Sequence, residues 1–294
     1  MSNTKIKTVY LTGYLLLLLA ACSGEEPVDV EGGEHTLEVE ASISGSVASR
    51  TLGAINYEKS SFEEADVIKI GTSTDNLTTS GTSYTYKKDK SGTLRWLPTT
   101  VGDGLITTGT GDYYAAYNPV GFSEILADQT DVANYKKSNR LITAATAVSG
   151  NKVNFSFYPA ASKITVTVEY TDDLHVGVSV QLIGKNLFGA STSGNVTLYP
   201  VTSTGKTHMY VAIVYPGVDK QYRIQVTSKA TTGSLTTDDK YYPAETTSVT
   251  QSLKAGYNYI YNFTSSFGLI LNNVSVEAFK PGSGNGTDDN WSAS

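Results

Sequence analysis

With a single cysteine, Cys22, the chain has no internal disulfide, so its fold must be held by packing. Histidine is almost as scarce. His35, His175 and His208 stand apart, none in an H-E-x-x-H or related spacing, and with no thiolate to join them a zinc site is not expected. No serine sits in a G-x-S-x-G elbow, and Gly205-Lys206-Thr207 fails as the end of a phosphate loop because the first glycine of that pattern falls on Pro200. Asp172-Asp173, Asp238-Asp239 and Asp288-Asp289 lack the spacing of a calcium loop and read as turn residues. No enzyme activity, metal or cofactor is therefore expected. Basic residues are outnumbered, 22 Lys and Arg against 28 Asp and Glu, for a formal net charge of −6, which disfavours nucleic acid as a partner. Amphipathic helices of ordinary length are also missing.

A secretory signal is present. Lys5 and Lys7 precede the apolar run Leu15–Leu19, which is short for a membrane span, and Ala20-Ala21 lead into Cys22. The run Leu19-Ala20-Ala21-Cys22 resembles the lipobox of bacterial lipoproteins, which implies cleavage between Ala21 and Cys22 and lipidation (palmitate among the acyl groups) of Cys22. Residues 1–21 are then the signal peptide. Losing Lys5 and Lys7 with it leaves a net charge of −8. Residues 22–34 are small and acidic, as a lipidated tether should be, and Glu25-Glu26 resembles the signal that sends lipoproteins of Bacteroidota to the outer face of the outer membrane.

Beyond the tether the chain is strand-like. Threonine, serine, valine, glycine and 20 tyrosines favour strands and turns. Leu37, Val39, Ala41 and Ile43 alternate with polar residues, which predicts a half-buried first strand ending near Arg50. Arg50 is the first basic residue after Cys22 and lies among small residues, where a protease specific for arginine would find it. Short strands are expected around Ile68, Tyr84, Trp96 and Tyr113–Tyr117, with a turn or two of helix within 122–131. Ser149-Gly150-Asn151 marks the expected boundary between domains of residues 35–151 and 152–279. In the second, Met209–Tyr215 is apolar on both faces and should be central, and the last strand runs from Ile270 to Ala278. Residues 280–294 form a polar tail with Trp291. The fold expected is all-β, two antiparallel β-sandwiches in tandem.

The order of segments resembles the fimbrillin family of Bacteroidota, the lipoprotein subunits of type V pili. It rests on the first strand ending at Arg50, Asp66–Ile70, Trp96 before the strand closing on Asn118-Pro119, Phe155-x-Phe157 leading into Ser162–Val166, and Leu253–Tyr259. The resemblance spans about His35 to Ala278 and implies two transthyretin-like sandwich domains. It also implies a mechanism. A lipid-anchored precursor reaches the cell surface at the outer membrane, an arginine-specific protease cuts at Arg50-Thr51, and the strand bearing Leu37, Val39, Ala41 and Ile43 is lost. Donor-strand exchange with another fimbrial subunit then fills the groove and builds an adhesive fimbrium. The candidate donor carries Ile270, Val274, Val276 and Ala278. Trp291 lies well beyond the place the family gives a tryptophan, which favours an accessory or tip subunit. The alternative is a surface glycan-binding lipoprotein of a nutrient-uptake system, with Trp96, Tyr113, Tyr114 and the tyrosines of 241–261 as its sugar-stacking candidates.

Overall fold

A computed structural model describes residues 34–44 and 59–279, apart from 76, 78–79, 118–124, 172–173, 190–192, 232–235, 245–246 and 267. The first half contains β1 (His35–Thr36), β2 (Glu38–Ile43), β3 (Val67–Gly71), β4 (Thr82–Lys88), β5 (Leu94–Pro98), β6 (Ile106–Thr107), β7 (Asp112–Tyr117), helix α1 (Val132–Ser138), β8 (Leu141–Ile142), β9 (Thr146–Ala147) and β10 (Lys152–Pro159). Strict alternation in sequence becomes alternation in space: in β10, Val153, Phe155 and Phe157 are buried while Asn154, Ser156 and Tyr158 face out. Where an open sandwich was expected, the sheet closes on itself. Its order is β3-β4-β5-β2-β10-β8-β7, and β7 pairs back onto β3 through Ile68↔Tyr117 and Ile70↔Ala115. Closure removes the two edges that an open sheet would have to protect.

Two other expectations change here. Ser149-Gly150-Asn151 is a tight turn from β9 into β10, with Gly150 at φ 63°, and β10 pairs with β2, so the change of sheet comes after Pro159 rather than at 151. The helix begins at Val132, past the stretch predicted for it, because Asp131 caps it by accepting from the Asn134 N–H at 2.8 Å.

The second half contains β11 (Ser162–Tyr170), β12 (His175–Lys185), β13 (Ser193–Thr197), β14 (Tyr199–Thr204), β15 (Thr207–Val214), β16 (Gly217–Ala230), β17 (Thr237–Tyr242), β18 (Val249–Leu253), β19 (Tyr257–Ser265) and β20 (Leu269–Ala278). They form one sheet ordered β14-β15-β11-β19-β20 and another ordered β13-β12-β16-β17, with β18 also on β16. The pairing is not purely antiparallel: β2 with β10 and β11 with β19 run parallel, as strands joined by long crossovers can. As its apolar faces predict, β15 is interior. Ala212 and Val214 enter a core with Ile164, Tyr222 and Phe263, while Val211 and Ile213 enter another with Ile125, Tyr135 and Phe279.

Beside that first core lies a polar pair. His175 and His208 are buried, bonded through Nδ1 to Ser228 (3.0 Å) and Ser203 (2.9 Å). Burial, and then the neighbouring His175, lowers the pKa of His208. Because its folded pKa lies below the unfolded value of about 6.5, stability from this site is present above that pH and lost as pH falls through it. A melting series from pH 8 to pH 4 should fall on the acid side, and His208→Gln should flatten that fall.

Candidate strand-exchange groove

Strand β2 is also an inner wall of the barrel. Leu37, at the entry to β2, and Val39 and Ile43 within it are 3%, 8% and 5% exposed and pack with Trp96, Phe155 and Phe157, while Ala41 is half-buried. Its two sides are held unequally. On one side it runs parallel to β10 in unbroken register from Glu38↔Lys152 to Ile43↔Phe157, extended by hydrogen bonds from the Glu38 N–H to the Asn151 carbonyl and from the Ser44 N–H to the Phe157 carbonyl, both 2.7 Å. On the other it meets β5 at one position, Val39↔Trp96. The incomplete ladder leaves a groove of about 940 Å³ along β2, lined by residues of β2, β5 and β10.

Aromatic rings form the floor around this strand. Phe62 stands edge-on to Trp96, Phe157 and Tyr117, with centroids 5.0, 5.3 and 5.7 Å away. Behind it the buried Lys59 pairs with Asp66 at 2.8 Å, and the Tyr117 hydroxyl donates to the other Asp66 oxygen at 3.1 Å. Burial, then the adjacent Asp66 charge, raises the Tyr117 pKa, so this hydroxyl stays a donor. At the rim Glu40 pairs with Lys152, both side chains well exposed, so that contact adds little beyond register.

The other sequence-derived positions divide clearly. Ala21, Cys22, Arg50 and Thr51 lie outside the described residues. The candidate donor is a strand paired on one side: β20 lies antiparallel along β19 from Ser265↔Leu269 to Tyr257↔Ala278, with a register shift between Asn262 and Phe263, and is the last strand of its sheet. Val274 and Val276 sit opposite Tyr261 and Tyr259 yet remain 41% and 37% exposed, Ile270 is 60% exposed, and Ala278 is exposed too. Half of the sugar-stacking candidates go inward: Trp96, Tyr113, Tyr259 and Tyr261 are core residues, while Tyr114, Tyr241 and Tyr242 are half-buried and Tyr257 is exposed. Among the described residues no group of three or more metal-ligating side chains converges. Sequence reasoning missed the groove's far walls, Trp96 on β5 and Phe155 on β10. Alternation marks both as strand residues with a common face, but it does not say which strands lie side by side.

No family model and no curated protein matches the chain. Solved structures do. A candidate cell adhesion protein from Bacteroides ovatus superposes with a TM-score of 0.57 at 15% identity, over 84% of this chain and 98% of that one. One from Bacteroides uniformis gives 0.52 at 17% identity, over 84% and 99%. The tip fimbrial protein Mfa3 from Porphyromonas gingivalis, with a C-terminal truncation, gives 0.41 at 10% identity, over 84% and 100%. The chain has the fold of these Bacteroides cell adhesion candidates.

Proposed function

We propose that this chain is a structural or accessory subunit of a surface fimbrium that mediates adhesion, is exported as a lipoprotein through Cys22, and matures by losing β2. It has no catalytic role in this reading. Its organisation is two tandem transthyretin-like units, the first closed into a barrel, carried to the cell surface on an outer-membrane lipid anchor. The observation that carries the proposal is the placement of β2. Among the described residues it is the first strand longer than two residues, it fills the barrel wall with Leu37, Val39 and Ile43, and one of its two ladders is nearly unmade. A cut at Arg50-Thr51 would release it and expose the edges of β5 and β10.

Three aliphatic side chains at about 2 kcal/mol each are worth roughly 6 kcal/mol to any strand that replaces them. A donor strand from another subunit, alternating like β2, satisfies the same ladder and the same pockets. In turn β20 is the donor candidate: it is an edge strand, and the side chains of Ile270, Val274 and Val276 leave little apolar surface to recover if it is drawn away. Brief arginine-specific proteolysis of the purified precursor, read by intact mass and an unheated denaturing gel, tests the reading. A cut after Arg50 followed by SDS-resistant oligomers is the expected result, and Arg50→Ala should stay intact and monomeric. Assembly of the Arg50→Ala chain at the wild-type level would overturn it.

A further inference from the structure

On the sheet face that meets the core of Val211 and Ile213, four side chains occupy neighbouring positions on three adjacent strands. Lys163 on β11 is in register with Asn258 on the parallel strand β19, and Asn258 is in register with Glu277 on β20. Registered neighbours project to the same face. The Asn258 carboxamide is held at both ends: its Nδ2 donates to Glu277 Oε1 at 3.0 Å, and its Oδ1 accepts from the Thr165 hydroxyl at 2.9 Å. Lys163, Thr165 and Asn258 are each at least nine-tenths buried, and the Lys163 Nζ lies 5.4 Å from the centroid of the buried Phe279 ring. Buried, water-excluded surroundings are where a lysine amine serves as a nucleophile.

The geometry points to an intramolecular amide cross-link between Lys163 and Asn258, formed by the protein itself and promoted by Glu277. The three roles that such a condensation needs are present in one register row. Attack on Cγ of Asn258, whose carbonyl is polarised by the Thr165 hydroxyl, is by the unprotonated form of the Lys163 amine. The Nζ–Cγ bond forms, the Glu277 carboxylate takes a proton from the attacking nitrogen and passes it to Nδ2, and the Cγ–Nδ2 bond breaks. Ammonia leaves and a secondary amide remains, so the step needs no oxidant or other reactant. The product ties two inner strands of the β14-β15-β11-β19-β20 sheet together across a long chain loop, where closure restricts the unfolded state most. It also places a covalent bond between strands that would otherwise part by breaking hydrogen bonds.

The test is mass spectrometry of the purified, folded mature chain. The expected result is an intact mass one ammonia below that of the sequence, together with a digest in which the peptides carrying Lys163 and Asn258 are joined. The joined peptide distinguishes this product from ammonia loss at a lone asparagine. Lys163→Arg keeps a cation beside Phe279 and should fold without the link. Glu277→Gln, on a half-exposed edge-strand site, should form it at least about a hundredfold more slowly, the usual contribution of a proton-transfer group. A folded wild-type chain of full mass with the two peptides separate would overturn the cross-link. Unchanged formation in Glu277→Gln would overturn the role of Glu277.

Discussion

A chain that begins at Thr51 loses much of its stability, and a peptide of residues 35–44 restores part of it. Leu37, Val39 and Ile43 are buried in the barrel core, and at about 2 kcal/mol each their removal takes away roughly 6 kcal/mol of apolar burial. That is a large share of the about 5–15 kcal/mol by which folded proteins are stable. The hydrogen bonds of β2 to β10 are lost as well, and they leave a β10 edge with Asn151 and Phe157 carbonyls that a new strand can satisfy. At a hundredfold excess over its Kd, the peptide should stabilise the truncated chain by about 2.7 kcal/mol. For a chain of this size that raises the thermal midpoint by roughly 5–10 °C. The same peptide with Val39→Asp should fail, because Val39 is the residue that faces Trp96 and a carboxylate there has no partner to offset its burial. A truncated chain that melts at the full-length temperature would remove β2 from the argument. Since the register is parallel to β10, a reversed peptide should bind poorly too.

Gln129→Met lowers stability by about 2–5 kcal/mol although it keeps the side-chain volume, since about 1–3 kcal/mol is lost for each buried backbone group left without a partner. Gln129 is fully buried, and its amide does what a strand would do. Its Nε2 donates to the carbonyls of Ile213 (2.8 Å) and Leu126 (2.9 Å), and its Oε1 accepts from the Ile213 N–H at 2.8 Å. The reason lies in the length of β14. Its pairing with β15 begins at Tyr199↔Val211, so Ile213 is two residues beyond the last strand partner on that side. The glutamine fills that missing rung from the segment before α1. Urea denaturation of the two proteins checks the prediction, with an equal midpoint for both as the result that would refute it. Gln129→Glu should lose at least as much, because its buried carboxylate can accept from the Ile213 N–H but faces two carbonyl oxygens to which it has nothing to donate.

Local pattern carried much of the architecture. The alternation of Leu37, Val39, Ala41 and Ile43, of Phe155 and Phe157, and of Ile164, Val166 and Val168 each marks a strand with an apolar face turned to a core, and each is one. The two-faced apolar run at Met209–Tyr215 marked an interior strand because only a strand covered on both sides can hide both faces. Turn chemistry was harder to use: Ser149-Gly150-Asn151 is the same signal whether it separates domains or joins two strands of one sheet. Gln129 carried no signal at all, since its role depends on where a strand from far along the chain happens to stop.

What the sequence determined by itself is therefore which residues of a strand share the face turned to a core, because side-chain alternation is a property of the strand alone. It also determined, through Leu15–Cys22, the expectation of export and a lipid anchor. Pairing was decided only in three dimensions. That β2 lies between β10 and β5, that the barrel closes through β3 and β7, and that Lys163, Asn258 and Glu277 share one row all depend on which backbone edges meet. Edges present the same N–H and C=O groups in every strand, so their choice of partner is set by the packing of the whole and not by any local run of residues.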